Sequence, residues 1–344
     1  MEQEKTKVAI NGFGRIGRAF LKLALEKDEL EVVAINDLGD LDNLAYLLKY
    51  DSAYGRANFD IKVQGDKLIV ANQEINFIQE KDPANLPWSD LNIDIVVEST
   101  GFFEEYSKAV GHIRAGAKKV VISAPAKGEP VDGINCGMVL LGINDNDLKE
   151  LKISSNASCT TNAVGAVIAI MKESVGVNKA VLNTIHAYTA SQKIVDSPDT
   201  GDWRRGRAGA NNAIPSTTGA ARAVGKIITD LENKFDGLAI RIPVISGSLA
   251  DVTFVSSRPT SVEEINDIFE KATREERWKN VLGVTREKLV STDIIGNTFP
   301  SIVDLSFTKV IDGDLVKILA WYDNEMGYTR ALVDHVILAG KYLK

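Results

Sequence analysis

The chain is 344 residues long, 44% hydrophobic and 25% charged, with a formal net charge of −7 and a pI near 5.2. That length suits two domains, each with its own core, and the acidity argues against nucleic acid or a membrane surface as the primary partner. No apolar run approaches the ~20 residues needed to span a bilayer, and the polar start Met1-Glu2-Gln3-Glu4-Lys5 lacks signal-peptide character, so the expected compartment is the cytoplasm.

From the N-terminus, residues 7–11 read as a buried strand, followed by Gly12-Phe13-Gly14-Arg15-Ile16-Gly17 and a helical run over 18–26. In that context the glycines let the turn close, let backbone approach a pyrophosphate and let helix pack on strand, while the helix N-terminus attracts phosphate charge. A second strand over 31–36 ends in Asp37, 20 residues beyond Gly17. An acid there suits a ribose 2′-hydroxyl and repels a 2′-phosphate, and Leu38-Gly39-Asp40 adds no cation, so NAD is expected over NADP.

Strand-like and helical runs then alternate: a strand over 94–98, a helix over 104–115, and strands over 119–123 and 138–143. This predicts a mostly parallel, doubly wound sheet of the Rossmann type. Residues 152–155 form a further strand, and Val164, Val167, Ile168 and Met171 recur at helical spacing through 161–174. Cys159, within Ser155-Asn156-Ala157-Ser158-Cys159-Thr160-Thr161-Asn162, is thereby placed at a helix N-terminus, where free N–H groups and the macrodipole favour thiolate over thiol.

A nucleophilic cysteine needs a base, and the chain has three histidines, His112, His186 and His335. His186 ends the apolar run Val181-Leu182-Asn183-Thr184-Ile185 and is expected at a strand's mouth; the other two fall in helix-like stretches and read as surface or packing residues. Neither Cys159 nor Cys136 has a Cys-x-x-Cys partner, so no disulfide framework and no metal site is expected. After Cys159, strands over 237–244, 250–256 and 304–310 around a helix over 261–276 favour an α+β domain with the boundary near Cys159. Trp203-Arg204-Arg205-Gly206-Arg207 could suggest nucleic acid, but in an acidic chain such a run is usually a solvated face or an interface.

Along nearly its whole length the sequence resembles the glyceraldehyde-3-phosphate dehydrogenases. The likeness is carried by the Asn-Gly-Phe-Gly-Arg-Ile-Gly turn at residues 11–17, by Ala34-Ile35-Asn36-Asp37, residues 155–162, Pro215-Ser216-Thr217-Thr218-Gly219-Ala220-Ala221 and Asp323-Asn324-Glu325. The resemblance implies an NAD-binding domain over 1–158, rejoined by a C-terminal helix over 323–344, and a catalytic domain over 159–322 with a mainly antiparallel sheet. It implies that Cys159 attacks the aldehyde, that His186 takes the proton and steadies the alkoxide, and that inorganic phosphate cleaves the thioester to an acyl phosphate.

By the same resemblance Thr189 and Arg241 would hold the substrate phosphate, and Ser158, Thr160, Arg205, Thr218 and Gly219 the incoming ion. Gly12, Gly14, Arg15, Ile16, Gly17, Asp37, Leu38, Thr100, Ser123, Asn324 and Tyr328 would bind NAD, with Asn324 on the nicotinamide carboxamide; Leu38 and Pro198 match NAD-preferring members. The arginine-rich run would pack against a neighbouring subunit of a homotetramer. Met326 stands where tryptophan is usual, Ala163 where a second cysteine is common and Ser191 where aspartate or threonine is frequent, and residues 133–141 are atypical. Erythrose-4-phosphate dehydrogenase shares the cysteine, histidine and dinucleotide fold but hydrolyses its acyl-enzyme, and a non-catalytic NAD-binding protein is the alternative from another class.

Overall fold

The computed structural model describes residues 4–343; Met1, Glu2, Gln3 and Lys344 lie outside it, and with them most of the polar start and the end of the expected C-terminal helix. The chain divides into two compact units, one of Met1–Val139, Asn144–Ala157 and Leu332–Lys344, the other of Leu140–Ile143 and Ser158–Ala331.

The first unit contains β1 (Thr6–Asn11), α1 (Arg15–Ala24), β2 (Leu30–Asn36), α2 (Leu41–Lys49), the short ribbon β3 (Tyr50–Asp51) and β4 (Gly55–Arg56), then β5 (Ile61–Gln64), β6 (Lys67–Val70) and β7 (Gln73–Ile78). It continues through β8 (Ile95–Glu98), α3 (Tyr106–Arg114), β9 (Lys119–Ile122), β10 (Cys136–Met138) and β11 (Ile153–Ser155). Nine strands order as β10-β11-β9-β8-β1-β2-β7-β6-β5, with every pair from β10 to β7 parallel. Strands β8 and β9 are buried at every position, as parallel strands covered on both faces must be. Tyr106, Ala109 and Val110 of α3 close one face over Val96, Val120 and Ile153, with Trp88 in the same cluster.

Several elements depart from the sequence reading. Helix α1 begins inside the glycine turn at Arg15. The meander β5–β7 was not foreseen; its antiparallel hairpins extend the sheet edge. The strand expected over 138–143 is replaced by β10, which stops where Val139 N–H donates to the Ser155 carbonyl, and Gly142, at φ 77°, turns the chain away.

The second unit contains α4 (Cys159–Ser174), β12 (Lys179–Ala187), β13 (Ile214–Thr217), α5 (Ala220–Ile227), β14 (Phe235–Ile242), β15 (Ser248–Val255), α6 (Val262–Ala272), β16 (Leu282–Thr285), α7 (Ser291–Ile294), β17 (Ser301–Asp304), β18 (Lys309–Ile311) and β19 (Leu315–Tyr322). The main path of its sheet runs β13-β14-β12-β15-β19-β17-β16, with β18 also on β19. It is mainly antiparallel, but β12 pairs parallel with β14 and β16 with β17. Helix α4 is buried from Thr160 to Met171, which its apolar, small-residue composition permits. The strand expected over 304–310 is broken because the Asp304 carboxylate accepts from Ser306 N–H and Oγ, capping a single turn at Leu305–Phe307.

Helix α8 (Met326–Lys341) starts after the Asp323-Asn324-Glu325 turn, whose Asp323 carboxylate accepts from the N–H groups of Glu325 and Met326. His335 on α8 is fully buried, with Nε2 2.8 Å from Ser154 Oγ and Nδ1 3.1 Å from Asn156 Oδ1. Burial, and then the Lys119 charge, pushes its pKa down to about 3. In the unfolded chain an imidazole titrates near ~6.5, so on acidification the unfolded state takes up the proton first. Stability should therefore fall as pH is lowered from about 6.5 towards 3, and be indifferent to this group above that range. Urea midpoints at pH 7 and pH 5 check this: the wild type should lose more stability between them than His335→Gln, and equal losses would refute the assignment.

Candidate active site

In the first unit the sequence motifs converge on one cleft. Gly12 has φ 95°, and a Cβ there would lie 2.6 Å from Thr100 N; a Cβ on Gly17 would lie 2.1 Å from the Gly12 carbonyl oxygen. Only glycine allows α1 to sit this close to the turn. Gly14, the N-cap of α1, faces open space and supplies no capping side chain, which leaves room for an anion at the helix start.

Gly12, Gly14, Asp37, Leu38 and Thr100 line a cavity of about 710 Å³, together with Asn11 and Asn36. Asp37 accepts from Phe13 N–H (2.6 Å) and Gly39 N–H (2.8 Å), so its carboxylate is pinned at the cavity wall. Ile16, Thr100 and Ser123 line an adjoining hollow of about 190 Å³. Arg15 points to Asp51 at 2.9 Å. Glycine cradle, uncapped helix start and pinned acid fit a dinucleotide with a free ribose 2′-hydroxyl.

The second unit holds the thiol. Ser158 caps α4, its Oγ accepting from Thr161 N–H, and this puts Cys159 in the first helical position. Two residues earlier, Ala157 takes φ 55°, a left-handed conformation costly for a residue with a Cβ and forced here by the turn from β11 into α4. Cys159 Sγ lies 3.4 Å from His186 Nε2 and 3.9 Å from Thr160 Oγ1.

His186 is the penultimate residue of β12, and the parallel register sets it directly beside Arg241 on β14. Its Nδ1 is 2.7 Å from the Ala187 carbonyl, which calls for an N–H, and also faces Arg241, which calls for a lone pair; together they orient the ring and turn Nε2 towards sulfur. Arg241 Nη1 stands 2.5 Å from the same Nδ1. Burial and the Arg241 charge hold the His186 pKa down to about 3, so the ring is neutral.

Burial also pushes the Cys159 thiol up, against the opposing pull of Arg241 and the hydrogen bonds of Thr160. At Cys159, burial therefore opposes the thiolate-favouring effect expected from the helix N-terminus. Tyr322, which sequence reasoning missed, stands edge-on to His186 at 5.9 Å between ring centres, its hydroxyl 2.9 Å from Thr160 Oγ1 and 2.8 Å from Thr184 Oγ1. No motif marks it; it is found only through the pairing of β15 with β19.

The remaining candidates in this unit have partners of their own. Thr189 Oγ1 is 2.9 Å from Ser191 Oγ, and Arg205 donates twice to Ser216 Oγ. Thr218 accepts from Ala220 N–H beside Gly219, the N-cap of α5. Arg205 is near enough for its charge to act on Arg241. Asn324 Oδ1 accepts from Ser248 Oγ at 2.8 Å, fixing the side chain of that turn, and Tyr328 is buried on the first turn of α8. His112, read as a surface or packing residue, is wholly buried and hydrogen-bonded. Among the described residues no helix is long and apolar enough to cross a membrane, and no group of three or more His, Cys, Asp or Glu is placed to hold a metal ion.

A dinucleotide cleft on a doubly wound sheet, joined to a unit built round a cysteine and a neutral histidine, defines the class as an NAD-dependent oxidoreductase. The glyceraldehyde 3-phosphate dehydrogenase NAD binding domain matches residues 6–106, and the C-terminal domain of the same family matches residues 158–324. Glyceraldehyde-3-phosphate dehydrogenase from Geobacillus stearothermophilus is 44% identical over 330 residues, covering 95% of this chain and 96% of that protein. The Borreliella burgdorferi protein of that name is 44% identical over 345 residues (98% and 100%), and glyceraldehyde-3-phosphate dehydrogenase 1 of Kluyveromyces lactis 44% over 331 (96% and 98%). The chain belongs to the glyceraldehyde-3-phosphate dehydrogenase family, and its cofactor is NAD.

Proposed function

We propose that this chain carries out the NAD-dependent oxidative phosphorylation of D-glyceraldehyde 3-phosphate to 1,3-bisphosphoglycerate in the cytoplasm, as a homotetramer. The observation that carries the reading is the 3.4 Å approach of Cys159 Sγ to an Nε2 whose ring is oriented from Nδ1. Sulfur bonds to the aldehyde carbon as its proton passes to Nε2, giving a thiohemiacetal whose alkoxide the protonated ring steadies. Bound NAD supplies the hydride acceptor. The thioester left on Cys159 keeps a bond that a phosphate oxygen can attack, and the sulfur then departs as thiolate.

Gly12, Gly14, Arg15, Ile16, Gly17, Asp37, Leu38, Thr100, Ser123 and Tyr328 are assigned to the cofactor, with Asn324 on its carboxamide. Thr189 and Arg241 are assigned to the substrate phosphate. Ser158, Thr160, Arg205, Thr218 and Gly219 are assigned to the inorganic ion, which hydroxyl, backbone and guanidinium donors suit. Exposed Val181 and Leu238 on β12 and β14, with Ile194, Val195 and Trp203 beyond β12, support self-association.

Initial rates of NADH formation from glyceraldehyde 3-phosphate, with and without inorganic phosphate, test the proposal. Turnover should depend on phosphate. Phosphate-independent turnover would assign a hydrolytic relative such as erythrose-4-phosphate dehydrogenase, and none at all a protein that only binds NAD.

A further inference from the structure

At the C-terminal end of β8, Glu98 is 2% exposed and is surrounded by donors. Its Oε1 accepts from Thr100 N–H (2.8 Å) and Thr100 Oγ1 (2.5 Å), and its Oε2 from Asn11 Nδ2 (2.5 Å). The fourth neighbour is His112 Nε2 at 3.1 Å. Trp88 Nε1–H donates to His112 Nδ1 at 3.0 Å, which requires a lone pair there and puts the ring proton on Nε2, facing Glu98. All four groups donate, so only an acceptor-only carboxylate satisfies the set.

The chain of bonds continues to the cavity wall. Asn11 Oδ1 accepts from Asn36 Nδ2 (2.6 Å), and Asn36 clasps the Glu80 backbone from both sides (2.8 and 2.9 Å). Asn11, Asn36, Glu80 and Thr100 all line the 710 Å³ cavity. Ser99, between Glu98 and Thr100, donates to the Gly12 carbonyl at 2.8 Å, so a shift of Thr100 would move the phosphate turn as well. A buried apolar group of equal volume would fill this space without the cost of desolvating a carboxylate; what the charge adds is direction.

We infer that Glu98 and His112 are positioning residues for the cofactor, aiming Asn11 and Thr100 at the cleft from beneath; this rests on reading that cavity as the NAD site. NAD titrations by calorimetry on the full chain, with melting temperatures and steady-state constants, test it in Glu98→Gln, His112→Phe and His112→Gln. In Glu98→Gln an amide NH₂ must face donors on one side or the other, so the NAD Kd and KM should rise about tenfold.

At saturating NAD its kcat and its KM for the aldehyde should stay within about twofold of wild type. His112→Phe should match it, while His112→Gln, which keeps a donor and an acceptor, should recover to within about threefold. Unchanged NAD affinity with lowered melting temperatures would reduce the pair to packing and overturn the inference. So would parallel losses in kcat and both KM values. A wild-type chain that binds no NAD would remove the cofactor reading itself.

Discussion

Replacing Cys159 by serine should abolish NADH formation from glyceraldehyde 3-phosphate, with kcat down at least about a thousandfold. Burial pushes the Cys159 thiol up, so sulfur depends on handing its proton to His186 as it attacks. A hydroxyl at the same place is a far weaker acid and a poorer nucleophile, and an oxygen ester is less open to phosphate than a thioester. The substitution removes one atom's chemistry and leaves the Ser158 cap of α4 in place. NAD binding should therefore survive, and a calorimetric titration of the variant separates lost chemistry from lost fold. Activity within tenfold of wild type would mean that the thiol is not the nucleophile.

His186→Asn should lower kcat by about a hundredfold to ten-thousandfold, the range for a positioned acid–base group. With its pKa down to about 3, His186 is neutral throughout the working range, and its Nε2 stands 3.4 Å from the sulfur whose proton must leave during attack. Asparagine holds a polar group in the strand but cannot take that proton. The rate of Cys159 alkylation by iodoacetamide, measured from pH 6 to 9, provides a readout free of NAD: the variant should react more slowly at neutral pH and approach wild type as pH rises. Coincident pH profiles would place the proton acceptor elsewhere.

The parts of the fold that were legible in sequence are those whose signal is local. Gly12-Phe13-Gly14-Arg15-Ile16-Gly17 between a strand and a helix, with Asp37 at the next strand's end, fixes the cleft because each residue is placed by its own backbone neighbourhood. Cys159 and His186 were visible as types: a thiol at a helix start, a histidine at a strand end. What places Arg241 against His186 is a parallel pairing between strands 55 residues apart, which no local pattern announces. Tyr322 and the Glu98–His112 pair were hidden for the same reason. The helix terminus that favours thiolate at Cys159 is read locally, whereas the burial that opposes it is tertiary and was hidden.

Because β12 and β14 run parallel, the chain between them cannot turn back in a hairpin; it joins the sheet first as β13, antiparallel to β14, and returns through α5. Thr189, Arg205, Thr218 and Gly219 all ride on that obligatory return. Strand register delivers the histidine–arginine pair, while the second half of the return is held by the pairing of β13 and by buried Ile214, Ala221 and Val224. Insertions between β12 and β13 can therefore lengthen that loop without disturbing the register that sets His186 beside Arg241.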